Sequence, residues 1–379
     1  MKKNSVEAIV IGADHHNTLG VIRALGANGI VPHLIVHSPA ERNCIRCFKS
    51  RYAKGKKIRV LPQEDSILEA LNCFAISKNA NTRIPIIPTD DYVEYILDKN
   101  YNQLKELFAL PAIAENQGSI TALMDKYDQF KALSSMNIPV AKTELIDLNK
   151  TEKESKLGYP LVLKPHISAF GSKSDILIVQ NEKQYFEGIN SFLNKNYNTI
   201  LAQEYINKQA EFCTFGCITP NSHAICYGTL RKLRYYPYSG GASLSFAQFS
   251  STPEETLKVI EWMREIGYSG LFDIESFQYD NRFLLNEINF RNSGNMWALV
   301  KGGINAPLIW LKDVLGLSFV KDMEMDSNSF FMNETADFHH VIDKRIKFGV
   351  WLRDVFRTKS FNKFWIKDLS GSLIWLFKR

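Results

Sequence analysis

Four side chains in the stretch Leu271 to Gly294, LFDIESFQYDNRFLLNEINFRNSG, have the types and spacing to hold a hard cation. Asp273 and Glu275 stand two residues apart, as do Glu287 and Asn289. Successive side chains of a β-strand point to opposite faces, so each pair shares one face. Between the pairs, Tyr279-Asp280-Asn281-Arg282 has hairpin-turn chemistry, which lays the strands antiparallel and brings the polar faces together. Crowded carboxylates repel one another unless a cation neutralises them. An all-oxygen set selects Mg2+, with Mn2+ as a substitute, and magnesium is usually held by one or two carboxylates together with substrate phosphates. A solvated acidic hairpin is the plainer account of any single acidic pair. Here the acids alternate with Phe272, Ile274, Leu284, Leu285 and Ile288 and continue into Phe290-Arg291-Asn292-Ser293-Gly294, which favours a site.

Anion-binding groups lie upstream. Tyr159 to Pro165 (YPLVLKP) reads as a buried strand with Lys164 near its end, where a lone ammonium is costly unless an anion or carboxylate pairs with it. An internal salt bridge is the less favoured explanation. The small-residue loop Ser168 to Ser174 (SAFGSKS) follows, then a strand at Ile176 to Val179. Strand, loop, strand is the wrong order for a P-loop, and the GxxxxGK[ST] spacing is missing. Such a loop can still cover phosphates with its backbone N–H groups. Strands are expected at Ile200 to Ile206, Glu211 to Ile218 and Ala224 to Leu230. A basic, aromatic and Gly-rich loop is expected over Arg231 to Gly241, where the three cations Arg231, Lys232 and Arg234 suit phosphate or carboxylate, the arginines bidentately; a solvated basic loop is the alternative. A helix is expected over Ile120 to Met136 and another over Pro253 to Ile266.

The first part of the chain has strand-loop-helix-strand order: Val6 to Ile11, Thr18 to Asn28, Val31 to Val36, and later Ile84 to Pro88 ending at Thr89-Asp90-Asp91, a helix-capping sequence. This predicts a small parallel-sheet α/β domain over residues 1–115. Gly12-Ala13-Asp14 could approach a ligand but is not a full GxGxxG. His15-His16 suit the mouth of this domain, whereas His339-His340 read as surface or packing residues.

Composition bounds the rest. With 379 residues, 45% hydrophobic and 23% charged, the chain reads as a soluble globular protein of two or three domains. No apolar run reaches the length of a membrane span, and the start of the chain lacks a signal-peptide pattern, so a cytoplasmic location is expected. Six scattered cysteines suit reduced thiols, and Cys44-Ile45-Arg46-Cys47 has no second ligand pair to make a zinc site. The net charge of +6 is uneven: Lys344 to Arg379 carries +8, leaving −2 for the remainder. That argues against a body built around nucleic acid.

Taken in order, these pieces resemble the ATP-grasp superfamily over nearly the whole of residues 1–320. Within it the chain is similar to the D-aspartate ligase-like and carboxylate–amine ligases, the carbamoyl-phosphate synthase-like ATP-grasp proteins. The phrases TLGVIRALGANGI, SRY (Ser50 to Tyr52), PTDDYVEYI, Asp125-Lys126, YPLVLKP, SAFGSKS, QEYI, NEIN and the segment Asn289 to Leu315 carry this jointly. The resemblance implies an α/β protein (α+β in the ATP-grasp part): an N-terminal domain over 1–115, then a two-lobed ATP-grasp fold over 116–320. Its small lobe would cover about 140–205 and its large lobe about 206–320, with a basic aromatic extension over 321–379.

The resemblance further implies ATP-dependent amide formation through an acyl phosphate. Lys126 and Lys164 would contact the ATP phosphates, with Ser168, Gly171 and Ser172 in the covering loop. Gln203, Glu204, Tyr205 and Ile206 would hold adenine, and Glu211 the ribose. Asp273, Glu275, Glu287 and Asn289 would bind Mg2+. Arg291, with Lys164, would serve the reacting phosphoryl group, while Arg231, Arg234 and Asn292 are substrate candidates. Partners would be small-molecule or polymer-linked carboxylates and amines. Two departures, Phe290 where relatives have proline and the polar run Asn292-Ser293-Gly294-Asn295, put the substrate in question. Bicarbonate activation, or a catalytically silent ATP-binding module, are the alternatives. A homodimer is compatible with the sequence. The aromatic, basic tail reads either as a helix packed on the body, which is preferred, or as a peripheral contact of residues 344–379 with the cytoplasmic face of a membrane.

Overall fold

The computed structural model describes residues 6–40, 44–75, 83–151, 153–171, 175–238, 243–320 and 329–377. Its first layer is a parallel sheet of β1 (Glu7–Ala13), β2 (Val31–His37), β3 (Lys57–Val60), β4 (Ile84–Pro88) and β5 (Phe108–Ala109), ordered β3-β2-β1-β4-β5. The runs AIVIG and IPIIP are buried, as strands covered on both faces require. Helices α1 (His16–Gly26), α2 (Glu64–Ala75) and α3 (Asp91–Lys99) supply that cover, and the short α4 (Tyr101–Leu104) follows. The strand order reverses between β1 and β4, and a ligand of such a sheet sits beyond the carboxyl ends at that point. There Asp90 accepts from Ala13 N at 2.7 Å and caps α3 by accepting from Val93 N at 2.9 Å. Gly12 is filled from within: a Cβ there would collide with the Thr89 side chain, so its glycine serves packing against Thr89.

After β6 (Ala112–Ile113), the expected helix over 120–136 is two helices, α5 (Ser119–Leu123) and α6 (Lys126–Ser135). The break falls where Asp125 leaves the helix to cap α6, its side chain accepting from Tyr127 N at 2.8 Å. The small lobe is an antiparallel sheet, order β7-β10-β8-β9, of β7 (Thr143–Asp147), β8 (Leu161–Lys164), β9 (Leu177–Val179) and β10 (Thr199–Glu204), backed by α7 (Glu182–Asn194).

The large sheet contains β11 (Ala210–Ile218), β12 (Ile225–Tyr236), β13 (Ser243–Ser250), β14 (Tyr268–Tyr279) and β15 (Arg282–Asn289), with α8 (Glu254–Glu265) preceding β14. Helices α9 (Met296–Gly302) and α10 (Ala306–Val314) follow, and then β16 (Phe330–Met332), α11 (Glu334–Ile342), α12 (Phe348–Arg357), β17 (Thr358–Phe361) and α13 (Leu369–Phe377). The sheet order is β15-β14-β11-β12-β13-β16-β17, with β6 on β14. Two features differ from expectation. Arg231 to Tyr236 continues β12 as strand instead of opening a loop, paired with β13 through a bulge. The segment after 329 also adds strands, which were not expected there: β16 and β17 extend the large sheet. One apolar core unites α1 with β11, α9 and α10, fastening the N-terminal layer to the large lobe.

Candidate active site

The hairpin has the register that alternation requires. Asp273 lies opposite Asn289 and Glu275 opposite Glu287, while Ile274 and Ile288 occupy the buried other face. Asp280 and Asn281 both have positive φ, at 49° and 55°, as a two-residue primed hairpin turn demands. The four polar side chains nevertheless divide between two tasks. Glu287 faces Lys126 at 3.3 Å, and Glu275 faces Lys232 at 3.7 Å. Asp273 is turned to Arg291, 3.3 Å away, and accepts from the Cys213 thiol at 2.8 Å. Asn289 donates to the Asp273 backbone oxygen at 3.4 Å. Among the described residues no group of three His, Cys, Asp or Glu side chains is arranged to hold a metal unaided.

Lys164 ends β8 and is 6% exposed. It has no ion pair among the described residues, and the Phe130 ring lies 5.4 Å away. Burial, and next the charge of Lys126, push its pKa down to about 7, against a weaker pull from Glu287 and Glu275. The two lysines are set side by side by a clamp that sequence reading did not pick out. His166, just past β8, contacts Asp125 through Nδ1 at 2.8 Å and Thr199 Oγ1 through Nε2 at 2.8 Å. Its carbonyl accepts from Lys126 N at 2.9 Å, so the start of α6 is tied to the end of β8. The covering loop begins as a tight turn over Ser168–Phe170, and Phe170 meets Tyr95 of α3 edge to face at 5.0 Å. Gly171 lies against Pro165, where a Cβ would be 2.8 Å from the ring. Ser172 lies outside the described residues.

The lobes are joined by residues 205–209, between β10 and β11. Gln203 donates to Thr143 Oγ1 at 2.9 Å, Glu204 accepts from Lys142 N at 2.8 Å, and Tyr205 N donates to Pro160 O at 3.1 Å. Tyr205 is exposed and Ile206 half-buried. Glu211, buried at the start of β11, is paired with Lys232 and with Lys208 at 2.5 Å.

Lys232 is therefore the cation of the RKLR run that faces the cleft acids. Strand alternation leaves Arg231 exposed and puts Lys232 inside. Burial works against the Lys232 ammonium, but Glu275 and Glu211 outweigh it and hold its pKa above the usual lysine value. Arg234, next but one, is taken up elsewhere: Asp337 and Asp354 each lie 2.7 Å from its guanidinium. The structure thus places it in the seam with the C-terminal segment, apart from the substrate role expected of it.

Arg291 follows β15 and meets Asp91, at the start of α3, at 3.2 Å. Burial opposes its charge, but Asp91 and Asp273 outweigh it. Asn292 N donates to Pro88 O at 3.4 Å and its side chain donates to Asn17 O at 3.3 Å, which seats the loop on the carboxyl ends of the parallel sheet. Gly294 lies against Asn17 and His16, so the His15-His16 pair does border this end of the site. Asp91 and Cys213 were not singled out in the sequence. The PTDD run beyond a parallel strand was the available signal for Asp91; a buried cysteine offers none.

The scaffold is a known one. Residues 131–302 match the ATP-grasp domain model. N5-Carboxyaminoimidazole synthetase from Staphylococcus aureus, solved with ADP, is 19% identical with a TM-score of 0.65, covering 91% of this chain and 87% of that one. An L-amino acid ligase from Bacillus licheniformis is 13% identical with a TM-score of 0.58, covering 83% and 75%. Biotin carboxylase from Campylobacter jejuni is 16% identical with a TM-score of 0.61, covering 85% and 74%. No curated protein sequence matches the chain.

Proposed function

We propose that this protein is an ADP-forming carboxylate–amine ligase that works through an acyl phosphate. The observation that carries this reading is Lys164: a buried ammonium beside a second lysine, with no ion pair among the described residues. Such a group calls for an anion from outside, and ATP phosphates are the anion this scaffold is built around. Lys126 and Lys164 hold the phosphates, the turn at Ser168–Phe170 with Gly171 lies beside them, and the segment 203–206 with Glu211 receives adenosine. Displacing Lys208 or Lys232 from Glu211 would free that carboxylate for the ribose.

Glu275 and Glu287, directly opposed and all-oxygen, fit a magnesium ion shared with phosphate, with Asn289 beside them. Bound there, the ion would neutralise charge on the transferring phosphoryl group. Asp273 is better assigned to holding Arg291 in place. In the first step a substrate carboxylate oxygen bonds the γ-phosphorus as its bond to the ADP oxygen breaks. In the second the amine nitrogen bonds the acyl carbon, phosphate leaves, and the nitrogen gives up a proton. Arg291 neutralises the acyl phosphate, and the chain's contribution is chiefly positioning and charge.

The names of the structural neighbours span carboxyaminoimidazole, amino-acid and biotin chemistry, so bicarbonate stands beside carboxylic acids as the group to be activated. The test is ADP release with a panel of carboxylates, bicarbonate included, crossed with amines. Turnover that disappears in Glu287→Gln supports the ligase. Absence of turnover across the panel, with ATP binding that survives Glu287→Gln, would replace it with a silent ATP-binding module.

A further inference from the structure

The C-terminal segment has two unlike faces. Its acids turn inward: Asp337 and Asp354 to Arg234, and Asp368 to Arg23 at 2.8 Å, all three acids being buried. Glu334 accepts from the backbone N–H groups of Asn362, Lys363 and Phe364; Asp343 is the exception, exposed and accepting from the Tyr238 hydroxyl at 2.6 Å. Arg353 and Arg357 approach Asp354 at 3.2 and 3.7 Å, but that carboxylate already carries Arg234, so three guanidiniums share the two carboxylates of Asp337 and Asp354. The outward side holds cations, with Lys344, Arg345, Lys347, Arg353, Lys359 and Lys367 all exposed.

Apolar surface is interleaved with these cations. Phe348, Leu352 and Phe356 recur every fourth residue of α12, forming one stripe, and are 56%, 37% and 82% exposed. The adjoining edge of the same apolar face is already covered, since Trp351 and Val355 pack on Phe246, Phe330 and Met332. A helix at a protein surface ordinarily turns its apolar stripe inward; that of α12 is broad, and the fold leaves its Phe348-Leu352-Phe356 edge uncovered. The Trp351 ring lies 5.0 Å from that of Phe338 and 5.9 Å from that of Phe348, continuing the patch onto α11. Beyond β17, Ile366 is 70% exposed, and Leu369 and Leu373 are exposed on α13. Single exposed apolar side chains are ordinary, whereas a clustered set rimmed by one sign of charge marks an interaction surface.

We propose that this face docks on an anionic lipid bilayer, with Phe348, Leu352 and Phe356 entering the boundary between headgroups and acyl chains and the surrounding cations reaching lipid phosphates. Charge complementarity selects this occupant. A second copy of the chain, joined about a two-fold axis, would set the same cations against one another. A bilayer offers negative charge and an apolar layer together across the whole face. Among the described residues no helix is long and apolar enough to cross a membrane, so the contact is a surface one. It does not depend on the reaction proposed above.

Cosedimentation of the full chain with vesicles tests it, using phosphatidylcholine alone and phosphatidylcholine mixed with phosphatidylglycerol. The chain should sediment with the mixed vesicles, release as salt is raised, and stay in solution with phosphatidylcholine alone. Replacing Leu352→Ser and Phe356→Ser together should weaken partitioning by roughly tenfold or more. Each of Lys344→Gln, Lys347→Gln and Lys359→Gln should weaken it about fivefold. The unfolding midpoint of every variant should stay at the parent value, because the altered side chains are exposed. Equal binding to both vesicle types, or to neither, would overturn the proposal. So would concentration-dependent self-association that Phe356→Ser abolishes in a chain that ignores vesicles, which would make the face a contact between copies.

Discussion

Lys164 and Arg234 are both cations on sheet strands, held away from water, and they have opposite surroundings. Arg234 is met by two carboxylates at 2.7 Å each and lies over the Phe246 ring at 4.2 Å, so its charge is matched within the chain. Lys164 has a second lysine for a neighbour and no ion pair among the described residues. A buried cation with its acids in place is a strut joining two segments. A buried cation without them is a site awaiting an anion, and the fold tolerates it at some cost in stability.

The sharpest way to break this contrast is to remove each charge in turn. Lys164→Met should lower ATP-dependent turnover by roughly two to three orders of magnitude, the scale of losing a principal electrostatic contact to the transition state. It should also leave the unfolding midpoint unchanged or raised, since an isolated buried ammonium is replaced by an apolar group. A drop in the midpoint would show that Lys164 is a strut after all. Arg234→Met should do the reverse. It takes the ion pair from buried Asp337, while Asp354 keeps Arg353 and Arg357, and should cost about 3 kcal/mol in chemical denaturation, with the ATP dissociation constant within about twofold of the parent.

The third test is pH. Below pH 7 the Lys164 ammonium is charged in the free protein, and above it the amine is increasingly neutral. Phosphate binding favours the charged form, so binding above pH 7 must take up a proton. ATP affinity should then fall by up to about tenfold per unit as pH rises from 7, and Lys164→Met should flatten that slope. Calorimetry in buffers of different ionisation enthalpy would detect the proton. A flat profile in the parent would mean that the lysine stays charged.

A subtler contrast lies in Glu94, fully buried on α3 with neither carboxyl oxygen bonded among the described residues. Burial first, then Asp98 and Asp91, raise its pKa well above the usual carboxylate range. Its folded pKa exceeds the unfolded one, so its contribution to stability is complete below about pH 4.3 and is lost as pH rises through the raised folded value. Glu94→Gln should therefore gain stability over the parent with increasing pH, by about 1 kcal/mol, readable from denaturation midpoints. Arg231→Ala, altering an exposed cation beside the inward Lys232, should change ATP affinity less than about threefold and stability less than about 0.5 kcal/mol.

Much of the site was legible because it obeys local rules. Alternation along LFDIESF and LLNEIN set which residues oppose one another, and Asp280-Asn281 set the turn. The cost of a charged residue on an apolar strand singled out Lys164. Alternation would have set Lys232 apart from its neighbours, but reading the RKLR run as a loop left its three cations equivalent. The clamp of Asp125 and His166, the Asp91 partner of Arg291 and the thiol beside Asp273 were not legible. Each joins residues from separate elements, and no local rule gives that distance. The break in the helix at Asp125 shows the same point at smaller scale: a capping side chain overrode a continuous helical pattern.

The sequence by itself determined the elements, the parallel first layer, the hairpin register and the residue types able to hold phosphate and magnesium, because period, capping and burial cost act within a few residues. Only the tertiary structure decided how the charges are shared out. Asp273 went to Arg291, Glu287 to Lys126 and Arg234 to the C-terminal acids, while Lys164 was left with no ion pair among the described residues. Coulomb energy depends on distance through space, and chain separation does not set it until the sheets have packed.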